Sequence, residues 1–165
     1  MELNNDSGSG MPPTGCSGIH TSTSMIDLSW AAGFFDGDGA VLISRQQVSG
    51  RKNLTYRLKA CVVQNCWKTI KHFRDVLDEQ HGMFEVKRAI EHNRQVYSLV
   101  YDGRHALAVL QKLEPYLVRK QVHARAAFRF WSEAEMGKLP GMRGLSADVW
   151  RRRRYWYDKL QQLNK

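Results

Sequence analysis

The spacing of hydrophobic residues predicts alternating helical and β segments from about residue 25 onward. Ser24 is suited to cap a helix, and Asp27 follows three residues later as a short-chained version of the capping box. The helix predicted over residues 25–36 ends at the breakers Gly37 and Gly39. Residues 1–24 show no such spacing and are rich in Ser, Thr, Gly, Asn and Pro, which favours a disordered leader.

A period of two replaces the helical period after this first helix. Val41 and Ile43 alternate with polar neighbours, and a turn signal at residues 49–53 separates them from a second alternating run over residues 56–62. Arg45 is an uncertain member of the apolar face. The pattern predicts a β-hairpin with one apolar face and one face of cations and amides.

The same plan recurs once. A helix is predicted over residues 67–79, a hairpin over residues 84–87 and 96–101 with a turn near residues 91–94, and a helix over residues 106–113 closed by Pro115. The facing of the return strand stays open. Helices over residues 119–134 and 146–163 follow, separated by a loop at residues 137–144.

This order, αββαββα plus C-terminal helices, predicts an α+β domain whose antiparallel sheet has helices on one face. At 165 residues the chain suffices for one ordinary domain, which we place at residues 25–165. No apolar stretch approaches the roughly 20 residues that span a bilayer. Three cysteines without a C-x-x-C pair disfavour a disulfide framework or a zinc knuckle, so we expect a soluble, intracellular protein.

Charge points to the class of partner. The sequence carries 25 Lys and Arg against 16 Asp and Glu, a formal net charge of +9, which favours a polyanionic partner and most often nucleic acid. Four consecutive arginines, Arg151 to Arg154, lie in the last helix and either bind phosphates or solvate the helix. A polar ribbon fits the major groove of DNA, although solvent-facing strands are polar as well.

Residues 30–39 contain the most informative pattern. Gly33 and Gly37 lie four apart on one helical face, where each costs about 1 kcal/mol relative to alanine and permits close approach of another helix. Fraying before a loop would also explain Gly37. Asp36 and Asp38 stand at the helix end that disfavours anions, so a cation such as Mg²⁺ would relieve them.

Residues 31–39, Ala-Ala-Gly-Phe-Phe-Asp-Gly-Asp-Gly, resemble the signature of the LAGLIDADG homing endonucleases in its Gly-Asp-Gly form. Val63-Gln64 is similar to that family's strand-end glutamine, and Pro115-Tyr116-Leu117 with Lys120-Gln121 is similar to its Pro-aromatic-Leu-x-x-Lys-Gln stretch. The resemblance covers roughly residues 25–165. It implies the homing-endonuclease fold with a saddle-like sheet and, because the signature occurs once, a homodimer with a composite active site.

The resemblance also implies roles for single residues. Asp38 would bind the divalent metal, Mg²⁺ or another such as Mn²⁺, with support from the Gly37 carbonyl, while Gln64 and Lys120 would line the catalytic pocket. Asn65 replaces Gln64 if the strand register slips by one. The best candidates for DNA contacts are Arg57 and Lys59, followed by Ser44, Gln46 and Lys87. The dimer interface would comprise Ala32, Gly33, Phe34 and Gly37.

The function that follows is metal-dependent double-strand cleavage of a long, partly palindromic DNA site, as in the homing of mobile introns or inteins. A bacterial or archaeal cytoplasm or an organelle would suit it. The alternative is a non-cleaving nucleic-acid module of the same fold, such as an intron maturase or a transcription regulator. An HNH-type nuclease built on His92-Asn93 is a weaker third reading, because that pair is typical of a hairpin turn.

Overall fold

Four antiparallel strands and five α-helices form the part of the chain that the structure, a computed structural model, describes: residues 24–47, 49, 54–87, 95–136 and 144–165. Almost all of the expected leader, residues 50–53 and 91–94 of the predicted hairpin turns and residues 137–143 of the predicted loop lie outside these residues, and so does the His92-Asn93 pair.

Helix α1, Met25–Asp38, begins at the predicted capping box. The Asp27 amide donates to Ser24 Oγ over 3.1 Å, and the Ser24 amide donates to Asp27 Oδ2 over 3.3 Å. The helix continues two residues beyond the predicted end, because the Gly39 amide still donates to the Phe35 carbonyl. Gly39 allows this close approach: a Cβ there would lie 2.5 Å from that carbonyl oxygen.

The sheet consists of β1 (Gly39–Gln47), β2 (Leu54–Gln64), β3 (Met83–Lys87) and β4 (Val96–Asp102) in the order β1-β2-β4-β3. All neighbours are antiparallel. The predicted alternation of β1 and β2 is confirmed, since Val41, Ile43 and the even-numbered residues 56–62 of β2 are buried. Arg45 lies on the same face, where its guanidinium stacks over the Tyr157 ring at 5.0 Å.

Strand β4, whose facing the sequence left open, lies inside the sheet between β2 and β3. Leu99 and Tyr101 pair with Val62 and Ala60 and join the core under the helices. Ser98 therefore faces the other side of the sheet, and it is buried there as well. Burial on both faces explains why the strand shows no clear alternation in the sequence.

The remaining helices are α2 (Trp67–Leu77), α3 (Arg104–Leu113), α4 (Gln121–Phe130) and α5 (Ala147–Leu163). Helix α2 ends two residues before the predicted limit, because Asp78 adopts a left-handed backbone conformation with φ 47°. A 3₁₀ turn at Glu114–Tyr116 precedes α4, and a π-helical turn at Trp131–Glu135 follows it.

Helix α5 corrects the interpretation of the four arginines. Arg153 is 8% exposed; its Nε donates to the Ala134 carbonyl over 3.2 Å and lies 2.9 Å from Glu135 Oε1 in an ion pair. It therefore neither solvates the helix nor reaches a phosphate, and it joins α5 to the end of α4. Arg151, Arg152 and Arg154 are exposed, as predicted.

The core lies on one side of the sheet, between the strands and the five helices. Phe35, Phe73 and Phe130 are the largest fully buried side chains that the helices contribute, each at most 1% exposed. The α+β class with an antiparallel sheet is confirmed. Among the described residues, no helix has the length and apolar character needed to cross a membrane.

Candidate active site

Asp38 is the last residue of α1, and its carboxylate is exposed. Gln64, at the end of β2, donates from Nε2 to Asp38 Oδ2 over 2.8 Å. The Asn65 backbone N–H donates to Gln64 Oε1 over 2.8 Å. This contact orients the Gln64 side-chain amide so that its nitrogen faces Asp38. Gln64, and not Asn65, thus supplies the side chain that contacts Asp38.

Asp36 is bound in a way that the sequence did not predict. It is 8% exposed, and its carboxylate accepts the backbone N–H groups of Val118, Arg119 and Lys120 at 2.7, 3.2 and 2.8 Å. Burial opposes its ionisation, but these three donors and the Lys120 charge outweigh burial and hold the pKa of Asp36 below its usual value.

The unfavourable position of Asp36 at a helix end is therefore relieved by backbone donors and the Lys120 charge, where we had expected a metal ion for this residue. The same contact has a second effect. It fixes the start of α4 against the end of α1, although the partners are more than 80 residues apart in the chain.

Lys120 is brought to Asp38 by this contact. Its ammonium donates to the Asp36 carbonyl oxygen, and Arg119 Nη1 approaches the same oxygen at 3.4 Å. Burial and the nearby Arg119 lower the pKa of Lys120, while the charges of Asp36 and Asp38 act in the opposite direction. The structure thus brings the three predicted catalytic residues together at one end of the sheet.

A basic pocket of about 270 Å³ opens beside Lys120. Arg119, Lys120 and His123 line one side, and the last residues of the chain, 163–165, line the other. The His123 ring bonds to the Leu163 carbonyl at 2.9 Å, which holds α5 against α4. The sequence showed only a basic C-terminal stretch and gave no sign of this contact.

The oxygen donors at the end of α1 suit a hard divalent cation in part. One carboxylate, that of Asp38, and the carbonyl of Gly37 in the last turn of α1 are the kinds of ligand that Mg²⁺ accepts. Mg²⁺ requires six oxygens and usually retains several waters. These residues therefore fit half of a site, with the other ligands coming from water, phosphate or a second protein molecule.

The two helix glycines lie on an open face of α1. Gly33 and Gly37 are exposed, and a Cβ built at either one meets no atom within 4 Å. The chain itself therefore does not require glycine at these positions. Ile26, which is 80% exposed, and Trp30, which is 38% exposed, lie on the same face. The four residues 26, 30, 33 and 37 follow one another at the spacings of three and four residues that mark one side of a helix.

The other two residues of the predicted interface are placed differently. Ala32 is fully buried in the chain's own core and is unavailable to a partner, which corrects its assignment. Phe34 is half-buried, stacked on Trp30 and edge-on to Phe73 with 5.4 Å between ring centroids. The exposed Ile26 and Trp30 were missed, although their helical spacing from Gly33 was visible in the sequence.

The predicted DNA contacts share the sheet face that points away from the helices. Ser44 pairs with Arg57 across β1 and β2, and Lys59 stands two residues further along β2. Arg57 and Lys59 each approach the Asp102 carboxylate at 3.6 Å, so part of their charge is offset within the chain. Of the remaining two candidates, Gln46 is exposed near the end of β1, and Lys87 is the last residue of β3.

Comparison with solved structures identifies the fold. I-CvuI, a homing endonuclease solved in complex with its DNA target, matches with a TM-score of 0.66 at 21% identity, over 84% of this chain and 82% of that one. I-Vdi141I, an archaeal intron-encoded homing endonuclease complexed with DNA, matches with a TM-score of 0.66 at 12% identity, over 85% of each chain.

This is the LAGLIDADG homing-endonuclease fold. The homing endonuclease I-TnaI has it too, with a TM-score of 0.60 at 17% identity over 83% of this chain and 95% of that one. The sequence itself matches no protein-family profile and no curated protein sequence. The resemblance stated from residues 31–39 is confirmed for the homing-endonuclease fold.

Proposed function

We propose that the protein is a metal-dependent, sequence-specific endonuclease that works as a homodimer and cleaves both strands of a long, pseudo-palindromic DNA site, as in intron homing. The observation that carries the proposal is the assembly of Asp38, Gln64 and Lys120 at the end of a helix with an open glycine face. The fold and the solved neighbours bound to DNA support it.

The glycine face supports a composite site. Two copies of α1 that cross at Gly33 and Gly37 would approach closely and bring their Asp38 carboxylates together. Two such charges about 4 Å apart repel by about 4 kcal/mol at an effective dielectric constant of 20. A divalent cation removes this repulsion and, when bound, activates water and stabilises the leaving oxygen of a scissile phosphodiester.

The protein's own residues orient this chemistry. Gln64 restrains the Asp38 carboxylate through its 2.8 Å hydrogen bond and leaves the second carboxylate oxygen for a ligand. Lys120, anchored on the Asp36 carbonyl, supplies positive charge next to the place where a phosphate would lie. The adjoining basic pocket extends that charge along the path of a DNA backbone.

The outer face of the hairpin β1–β2 is the proposed DNA reader. A two-stranded β-ribbon fits the major groove, where guanidinium and amide groups pair with base edges. Arg57, Lys59, Ser44 and Gln46 lie side by side on this ribbon, and Lys87, at the end of β3, is the remaining candidate. Some of these side chains will contact phosphates rather than bases.

The test begins with selection of cleaved sites from a randomised duplex library, followed by plasmid cleavage at the selected site with Mg²⁺. We expect the wild type and the control Asp78→Asn to linearise the plasmid. Asp38→Asn should cut at least ~100-fold more slowly, because it loses a metal ligand, and should still bind DNA. Equal cleavage by Asp38→Asn contradicts the assignment, and preferential binding of structured RNA without cleavage indicates the non-cleaving alternative.

The dimer has a separate test. We expect Gly33→Leu to leave the monomer intact, because Gly33 is exposed and a Cβ built there meets no atom from the rest of the chain within 4 Å. It places a bulky side chain between the two helices, and light scattering should then report a monomer. The control Gln111→Leu adds an exposed leucine on α3 and should remain dimeric. A dimer with unchanged dissociation constant in Gly33→Leu excludes this interface.

A further inference from the structure

A glutamate and two histidines converge where the connection from α2 to β3 passes the start of α3. Glu79 Oε1 lies 2.8 Å from His81 Nδ1 and 3.2 Å from His105 Nδ1. The two imidazole rings stack with their centroids 4.2 Å apart. A set of possible ligand atoms, one from each residue, lies within 4.8 Å of one another.

The local backbone explains why these three side chains meet. Asp78, in its left-handed conformation, ends α2 and turns the chain toward β3. Gly82 then lies directly on the Tyr101 ring, where a Cβ would be 2.7 Å from Tyr101 Cε1. Gly103, at φ 56°, begins α3 after donating to the Leu58 carbonyl over 2.8 Å. Each of these contacts is ordered without any contribution from the histidines.

The cluster is distinct from the candidate active site. Gly103, two residues before His105, is bonded to Leu58, whereas Asp38 is bonded to Gln64. Leu58 and Gln64 are six residues apart on β2, which corresponds to about 20 Å along an extended strand. An ion bound by the cluster would therefore not be the ion at Asp38.

We propose that Glu79, His81 and His105 form a binding site for a borderline divalent transition-metal ion such as Zn²⁺. Two imidazoles and a carboxylate are an established ligand set for Zn²⁺. With metal–ligand bonds of about 2.1 Å, the edge of a tetrahedral site is about 3.4 Å. The 2.8 and 3.2 Å contacts are both slightly shorter than this edge, so side-chain movements of a few tenths of an ångström would open the space for an ion.

The exposure of the three side chains fits a site with one open position. Glu79 and His105 are 14% and 25% exposed and come from the protein side, while His81 is 68% exposed and faces solvent. Three protein ligands leave a fourth position for water. Nearby, the buried Tyr101 hydroxyl has no hydrogen-bond partner among the described residues, and burial and the Glu79 charge together raise its pKa.

Such an ion would cross-link two segments that are 26 residues apart, at Glu79 and His105. Because the three ligands converge only in the folded chain, binding would stabilise the folded state. The ligand set also sorts metals, since Mg²⁺ prefers oxygen ligands and imidazole suits Zn²⁺, Co²⁺ and Ni²⁺. The rival arrangement is a hydrogen-bonded Glu-His-His cluster that holds no metal.

The experiment uses the metal-stripped full chain, titrated with ZnCl₂ alone and followed by calorimetry and by the thermal midpoint. We expect one Zn²⁺ per chain, a rise in Tm that saturates at that ratio, and no comparable rise with MgCl₂. The variants His81→Ala and Glu79→Gln should each bind Zn²⁺ at least ~10-fold more weakly. Asp78→Asn, which removes the neighbouring carboxylate and retains the left-handed turn, should bind as the wild type does.

Co²⁺ provides a second readout that does not depend on stability. Its visible absorption reports a tetrahedral site with nitrogen ligands, and the band should disappear in His81→Ala, whose exposed side chain contributes little to folding. The absence of stoichiometric binding overturns the proposal. Unchanged binding in His81→Ala or Glu79→Gln also overturns it, because the ion then lies at other residues.

Discussion

Asp36 and Asp38 are two carboxylates on one helix end, and we expect the removal of Asp36 to affect stability and the removal of Asp38 to affect cleavage. Asp36→Ala leaves three backbone N–H groups at the start of α4 without their acceptor. Each buried donor without a partner costs about 1–3 kcal/mol. Since water can reach part of this helix start, we expect a total loss of about 4 kcal/mol.

That loss is a large fraction of the free energy of unfolding, which for a domain is about 5–15 kcal/mol. For a chain of this size it lowers Tm by about 12 °C. Asp38→Ala, in contrast, removes an exposed carboxylate from the negative end of a helix, so its stability should change by less than about 0.5 kcal/mol. Cleavage of DNA should be lost in Asp38→Ala.

The assay is urea unfolding followed by circular dichroism at one fixed protein concentration, because dimerisation would couple stability to concentration. The same measurement over a range of pH tests the Asp36 carboxylate directly. The pKa of Asp36 is lower in the folded state than in the unfolded state. Its contribution to stability is therefore complete above the usual pKa near 4 and is lost as the pH falls through the lower, folded pKa. The stability difference between wild type and Asp36→Asn should therefore shrink in acid.

Equal stability of Asp36→Ala and Asp38→Ala at pH 7 would refute this reasoning. So would a difference between wild type and Asp36→Asn that grows as the pH falls, because a carboxylate stabilised in its ionised form must act in the other direction. A concentration-dependent loss confined to Asp38→Ala would show that dimerisation, and not the contact of Asp36 with residues 118–120, governs the transition.

Three further changes test other parts of the structure. Gly39→Ala should destabilise the fold by about 2 kcal/mol, because its Cβ meets the Phe35 carbonyl at 2.5 Å; unchanged chemical denaturation would contradict that contact. Arg153→Gln should lower the free energy of unfolding by about 3 kcal/mol, because the Glu135 carboxylate loses its ion-pair partner. Arg152→Gln should change the free energy of unfolding by less than about 0.5 kcal/mol in the same assay. Asp102→Asn should tighten binding to duplex DNA several-fold in fluorescence anisotropy, because Arg57 and Lys59 lose their carboxylate partner. The dependence of this affinity on salt concentration should become steeper. A shallower salt dependence would show that these two cations do not reach phosphates.

Local patterns in the sequence predicted the helices and strands well where one face is buried and the other is exposed to solvent. The alternation of β1 and β2 is an example, as is the capping box at Ser24 and Asp27. The facing of strand β4 could not be predicted in the same way, because this strand lies inside the sheet and is buried on both faces. A period of two carries no information on facing when both faces are apolar.

The candidate site shows where sequence reasoning ends. A family resemblance predicted that Asp38, Gln64 and Lys120 share one pocket. Asp36, however, was interpreted like Asp38, as a carboxylate at an unfavourable helix end that a metal ion would stabilise. The donors for Asp36 lie 82 to 84 residues further along the chain. Likewise, Arg153 looked like its three neighbours until the fold placed Glu135 beside it. Partners this distant leave no local signal.

The contact between Asp36 and the start of α4 lies away from the outer sheet face. It places Lys120 against the end of α1 only two residues from Asp38, while Gln64 at the very end of β2 contacts Asp38 itself. Under the proposed function, substitutions of Ser44, Gln46, Arg57 and Lys59 would therefore change which bases are read without displacing Asp38, Gln64 or Lys120. Selection for a new target would then act on the strands, while this joint keeps the proposed cleavage site in place.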